Sequence, residues 1–116
     1  MKYILLFLMS VSAVYAADTD SRYCTVNPLR TTEGKIARSS SEIAKFKRVH
    51  PCPVNNRKYG SCPGWNIDHI IPLANGGCDK IHNMQWLPVE IKRCSSDYCK
   101  DRWELRVYKK PEPSYN

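Results

Sequence analysis

Beyond residue 16 the chain has no long apolar run, no internal repeat and no low-complexity tract. These absences exclude a further membrane span and a repeat architecture, and leave one small domain. A pair of Cys-x2–4-Cys knuckles, the usual sign of structural zinc, is also missing; only Cys94-x4-Cys99 comes near that spacing. No stretch reads as a basic amphipathic helix with a broad apolar face, so insertion into a lipid surface has no support. Acids are few, at 11 against 18 lysines and arginines. Past residue 16 the balance is 17 basic to 11 acidic, a net charge of +6. A surplus of that size on about a hundred residues favours a polyanionic partner, with nucleic acid ahead of a membrane surface.

What is present begins with a leader. Met1-Lys2 gives a short positive end, the next dozen residues are nearly all apolar, and Val14-Tyr15-Ala16 puts small residues where a signal peptidase reads them. Residues 1–16 are therefore expected to be a secretory signal peptide, since a membrane anchor would want roughly 18 apolar residues. The remaining residues 17–116 form one secreted or periplasmic domain. All six cysteines, Cys24, Cys52, Cys62, Cys78, Cys94 and Cys99, fall in it. An even count in a small exported domain reads as a disulfide framework, for which fifteen pairings exist. Short loops favour Cys52–Cys62 and Cys94–Cys99, which leaves Cys24 with Cys78.

The pattern along the chain is irregular to about residue 32. A basic helix follows near residue 40, with Ser41 as its cap and Ile43, Ala44, Phe46 and Val49 on one face. Pro51-Cys52-Pro53 ends it. Residues 65–73 read as a strand, Asn75-Gly76-Gly77 as a turn and residues 84–87 as a second strand. Pro88 can open a helix running to about residue 108, interrupted around residues 94–99. Trp65, Trp86 and Trp103 are expected in the core, because a small domain has few other large residues to bury.

Asp68-His69 is the pair that asks for chemistry. Two adjacent ionisable groups entering a buried strand must be paired or metal-bound, since bare desolvation costs roughly several kcal/mol. Hydrolysis of a phosphodiester needs a cation, a base and a group that orients the base. Asp68 offers a hard oxygen ligand, His69 a base suited to neutral pH, and Asn83 a hydrogen-bonding amide. Neighbours on a regular strand point to opposite faces, so the two can share a site only where the strand twists or ends. The plainer readings are a surface ion pair for Asp68-His69, a turn cap for Asn83 and solvated loop residues for His50 and His82.

Asp68-His69-Ile70-Ile71-Pro72-Leu73, then Gly76-Gly77, then Asn83-Met84-Gln85-Trp86, resembles the HNH endonuclease motif. With Pro51-Cys52-Pro53, Cys62-Pro63-Gly64 and Lys100-Asp101-Arg102-Trp103-Glu104 added, the chain is similar to small exported bacterial HNH proteins over about residues 45–104. The resemblance implies an α+β, disulfide-stapled domain with a ββα-metal core and an additional N-terminal helix. It implies His69 as general base, Asn83 as the residue orienting the base loop, and Asp68 as ligand to a divalent ion, Mg²⁺ by the chemistry of a carboxylate donor. The third position of the motif, on the helix, has no matching His or Asn; Glu90 is the nearest oxygen donor. Lys100, Arg102 and Arg106, with Lys109 and Lys110 beyond them, would track a phosphate backbone or form a solvated helix face. The function expected is metal-dependent cleavage of DNA, or RNA, by a monomer with little sequence preference. Two alternatives carry over: a DNA-binding or uptake module that has lost turnover, and a disulfide-rich toxin acting on a protein.

Overall fold

In the computed structural model the described residues are 20–25 and 27–108, so the leader and Lys109 and Lys110 lie outside them. The fold is α+β: a two-stranded antiparallel sheet, three helices and three disulfides. No helix among the described residues is long and apolar enough to cross a membrane.

Helix α1 spans Ser40–Val49 and turns Phe46 inward. Its cap is Ser39, two residues before the expected Ser41, and the Ser39 hydroxyl accepts the Glu42 N–H at 3.2 Å. Ser39-x-x-Glu42 has the spacing of a capping box, but its return bond is not made. The Ser39 N–H donates instead to Asp79, and the Glu42 carboxylate accepts the Ile81 N–H at 3.2 Å. Both ends of the box have been diverted to hold the loop that follows Cys78.

Strand β1 covers Trp65–His69 and pairs with β2, Met84–Pro88, placing Asp68 opposite Gln85 and His69 opposite Met84. It stops at His69, four residues short of the expected end. Pro72 then enters a single 3-10 turn at Leu73–Asn75, closed by Gly76 with a left-handed φ of 94° that suits glycine. Helix α2, Val89–Lys92, follows β2 after Pro88, and α3 spans Lys100–Val107. The interruption expected around residues 94–99 separates them and is tied by its own disulfide.

The buried apolar side chains are Phe46, Ile71, Leu73 and Met84 together with Cys52, Cys62, Cys78 and Cys99. Half of this core is cystine, which explains how so little apolar surface holds a fold. The tryptophans differ from expectation: all three are only half-buried. Each indole needs a partner for its N–H, and Trp86 finds it at the His50 carbonyl (2.8 Å) and Trp103 at the Tyr98 carbonyl (3.1 Å), both close to the surface.

Cys24–Cys78, Cys52–Cys62 and Cys94–Cys99 are the pairs formed, as the loop lengths suggested, and three disulfides suit an oxidising, extracellular-type compartment. Cys24–Cys78 spans 54 residues, against 10 and 5 for the others. In a chain-entropy view it should contribute about 4 kcal/mol and the short ones about 2–3 kcal/mol each. Urea unfolding should therefore rank Cys24→Ser/Cys78→Ser as the most destabilised pair variant; equal losses from the Cys94→Ser/Cys99→Ser pair would contradict that order.

Candidate functional site

The site is built where β1 ends, and its frame is an asparagine. Asn83 has no exposed surface, and its side-chain oxygen accepts the Ile71 N–H at 2.9 Å. Its amide nitrogen donates to the carbonyls of Ile71 (3.0 Å) and Cys78 (2.9 Å), and its own carbonyl accepts the Ile70 N–H at 2.8 Å. Loop 70–78 is thus closed on a fully used amide. Gly77 completes the closure: a Cβ there would sit 1.9 Å from the Ile71 carbonyl oxygen, so no other residue fits this approach.

The two chain segments held by Asn83 carry His69 and Asp79 at their outer ends. His69 Nε2 lies 2.9 Å from Asp79 Oδ1, and the other Asp79 oxygen takes the Ser39 N–H at the start of α1. A carboxylate only accepts, so this bond puts the imidazole proton on Nε2 and the lone pair on Nδ1. His69 is 6 % exposed. Burial pushes its pKa below the ordinary 6.5, the charge of Asp79 pulls the other way, and burial wins. The result is a neutral, oriented imidazole at neutral pH.

Asp68 points to the other face, against the helices. It is 1 % exposed. Lys92 Nζ lies 2.8 Å from Oδ1, while Gln85 Nε2 at 3.0 Å and Lys100 Nζ at 3.1 Å meet Oδ2. Burial raises the Asp68 pKa, but the Lys92 and Gln85 hydrogen bonds and the charge of Lys100 outweigh it and hold the carboxyl below its usual range. Besides this ion pair, the Lys100 ammonium donates to the His69 carbonyl at 2.9 Å and to Glu104. Arg38, His69, Asp68, Lys92 and Glu104 line one cavity of about 250 Å³.

Among the sequence-expected residues, Asp68, His69 and Asn83 are brought together. Lys100 is not an outward phosphate contact; at 3 % exposure it is an internal counter-ion. Arg102 and Arg106 are exposed on α3. Glu90 is exposed, and the residue that reaches Asp68 from α2 is Lys92. Asp79, Arg38, Lys92 and Glu104 were not singled out. Asp79 follows Cys78 directly, and its role depends on a contact ten residues back that no periodicity encodes.

The fit of a divalent ion to this donor set is poor. Mg²⁺ needs near-octahedral oxygen ligands at about 2.0–2.1 Å, but Asp68 Oδ1 already accepts from the Lys92 ammonium and Oδ2 from Gln85, with the Lys100 ammonium 3.1 Å from Oδ2. Among the described residues no three His, Cys, Asp or Glu side chains converge to hold a metal. A dication within about 4 Å of an ammonium is opposed by roughly 8 kcal/mol at an effective dielectric of about 20, twice the figure for unit charges.

Two measurements probe this frame. Asn83→Ala strands buried backbone groups at Ile71 and Cys78, so it should cost about 3 kcal/mol or more in urea unfolding, while Glu90→Ala should be nearly silent. The imidazole of His69, followed by NMR, should titrate below 6.5, and Asp79→Asn should lower its pKa further by removing the charge that favours the imidazolium. An unchanged His69 titration in Asp79→Asn would break the assigned pairing.

Comparisons with models of protein families, with curated proteins and with solved structures return no match to this chain.

Proposed function

We propose that this chain is an exported phosphodiester hydrolase of the HNH endonuclease kind, cutting DNA with little sequence preference. The observation that carries the reading is His69, held by Asp79 and lining a cavity together with Arg38 and Lys92. The order strand β1, loop, strand β2, helix α2, with Asp-His at the end of the first strand and Asn before the second, agrees with the ββα core that the motif implies.

In this reading the scissile phosphate lies in the cavity with its charge against Arg38 and Lys92. His69 Nδ1 takes a proton from water, the water oxygen bonds to phosphorus, and the 3′ oxygen leaves with the electrons of the broken bond and is protonated by solvent. Asp79 holds the imidazole and stabilises its protonated form. The rest of the polynucleotide has a basic path to follow. Along α1, Lys47 and Arg48 face Lys58 and the exposed ring of Tyr59 across a groove of about 470 Å³. Cations there neutralise phosphates and a tyrosine face stacks on an unpaired base, neither of which reads sequence.

A second reading, binding without turnover, is favoured by Lys92 standing where the motif has a ligand. Plasmid nicking separates the two. Cutting that falls about 10²–10⁴-fold in His69→Ala, with DNA affinity kept, supports hydrolysis. A gel shift with no cutting under any condition selects the second reading. Because the base form is the active one, the rate should rise with pH through a value below 6.5 and then level off. DNA affinity should drop steeply between about 50 and 200 mM salt, as phosphate neutralisation requires.

A further inference from the structure

Lys92 reaches the site from α2 and meets a carboxylate that the resemblance would have given to a metal. We infer that Arg38, His69 and Lys92 form a metal-free subsite for a phosphate diester, in which the Lys92 ammonium fills the cation position. The inference deepens the proposed function, on which it rests for the identity of the ligand as a polynucleotide phosphate.

Charge balance and donor count carry it. Asp68, Glu104 and Asp101 bring three negative charges to the cluster, and Lys92, Lys100 and Arg93 bring three positive ones, the two lysines at 2.8 and 3.1 Å from Asp68. A divalent ion at Asp68 would have to displace one ammonium or sit beside both. The two lysines differ in what they have left. Lys100 donates to Glu104 and the His69 carbonyl, stands 3.1 Å from Asp68 as its counter-ion, is 4 % exposed and does not line the cavity. Lys92 gives one proton to Asp68, stands 3.5 Å from the partly exposed Asp101, and keeps 13 % of its side chain open. A lysine carries three donors, so Lys92 has one for an anion in the cavity it lines. Arg38, exposed at the same cavity, supplies a planar pair of donors suited to phosphate oxygens. Asp68 then serves as the internal anchor that holds the Lys92 ammonium in place, and His69 faces the bound phosphorus from the opposite side of the strand end.

The test uses the oxidised protein freed of metals, with thymidine 3′,5′-bisphosphate as the phosphate probe and Mn²⁺ as the metal probe. Calorimetry in EDTA should give a bisphosphate affinity within about twofold of that in Mg²⁺, and Lys92→Ala or Arg38→Ala should weaken it about tenfold or more. Electron paramagnetic resonance should find no stoichiometric Mn²⁺ on the wild type below millimolar concentration, and should find it on Lys92→His, where a neutral ligand replaces the ammonium. Lys92→Arg keeps the charge and should keep both metal-free phosphate binding and metal exclusion, so a folding failure of Lys92→Ala leaves the question answerable. Stoichiometric Mn²⁺ on the wild type that Asp68→Asn abolishes, or bisphosphate binding that requires Mg²⁺, would overturn the inference. Nicking in the same buffers keeps the two ideas apart. Metal-free phosphate binding with no cutting anywhere removes the hydrolase and leaves the subsite; cutting that needs metal, with Mn²⁺ bound, does the reverse.

Discussion

The amide of Asn83 is the constraint on which the site depends. It accepts from one backbone N–H and donates to two carbonyls in a place with no water to substitute, so its three bonds fix loop 70–78 in a single closed form. His69 and Asp79 flank that loop, and their 2.9 Å contact is a consequence of the closure. The bare Cα of Gly77 and the Cys24–Cys78 bridge act on the same loop from its other end. Remove the amide and the imidazole loses both its partner and its reason to stay buried.

The Asp68 cluster works by a different rule. A lone carboxylate at 1 % exposure would take up a proton in place of staying charged, and here two lysines and a glutamine prevent that. The lysines come from α2 and α3, so the same ion pairs that solve the desolvation problem also dock both short helices on the sheet. Neither helix is long enough to be stable alone. Breaking one partner leaves a buried charge exposed to its full cost, which makes the cluster a specification of the fold as much as a source of stability.

Much of this was legible in the sequence, and the limits have physical causes. The strand, loop, strand, helix order, the interruption at residues 94–99 and the three disulfide pairs follow from local signals: β-branched runs, turn residues and loop lengths. Asp68 and His69 stood out because ionisable groups entering an apolar run need partners, and Asn83 because its amide stands in the matching place of the motif. The partners themselves were hidden. Lys100 read as a phosphate contact or a solvated helix residue and Lys92 was not singled out, because nothing local says that a lysine on a short helix will turn inward to a carboxylate 24 or 32 positions earlier. Ser41 outranked Ser39 as a cap for a similar reason: Ser39 is favoured by the distant Asp79, a tertiary contact that propensity cannot contain. The tryptophans were assigned to the core by size alone, whereas their indole N–H groups keep them near backbone carbonyls at the surface.

Two neighbouring ionisable residues on a strand cannot share one face, and the fold uses that geometry to divide their work. The last regular residues of β1 send Asp68 toward the helices, where its charge is spent on lysines, and His69 toward Asp79 and the start of α1. Ending the strand at His69 then releases the backbone into the loop that Asn83 holds, beside a cavity that His69 and Lys92 both line. In the proposed nuclease chemistry the carboxylate acts only through the ammonium it positions, while the base is tuned from a separate carboxylate ten residues on. Separate control of the cation and the base follows from the alternation of side chains along β1, which gives each member of the pair its own charged partner.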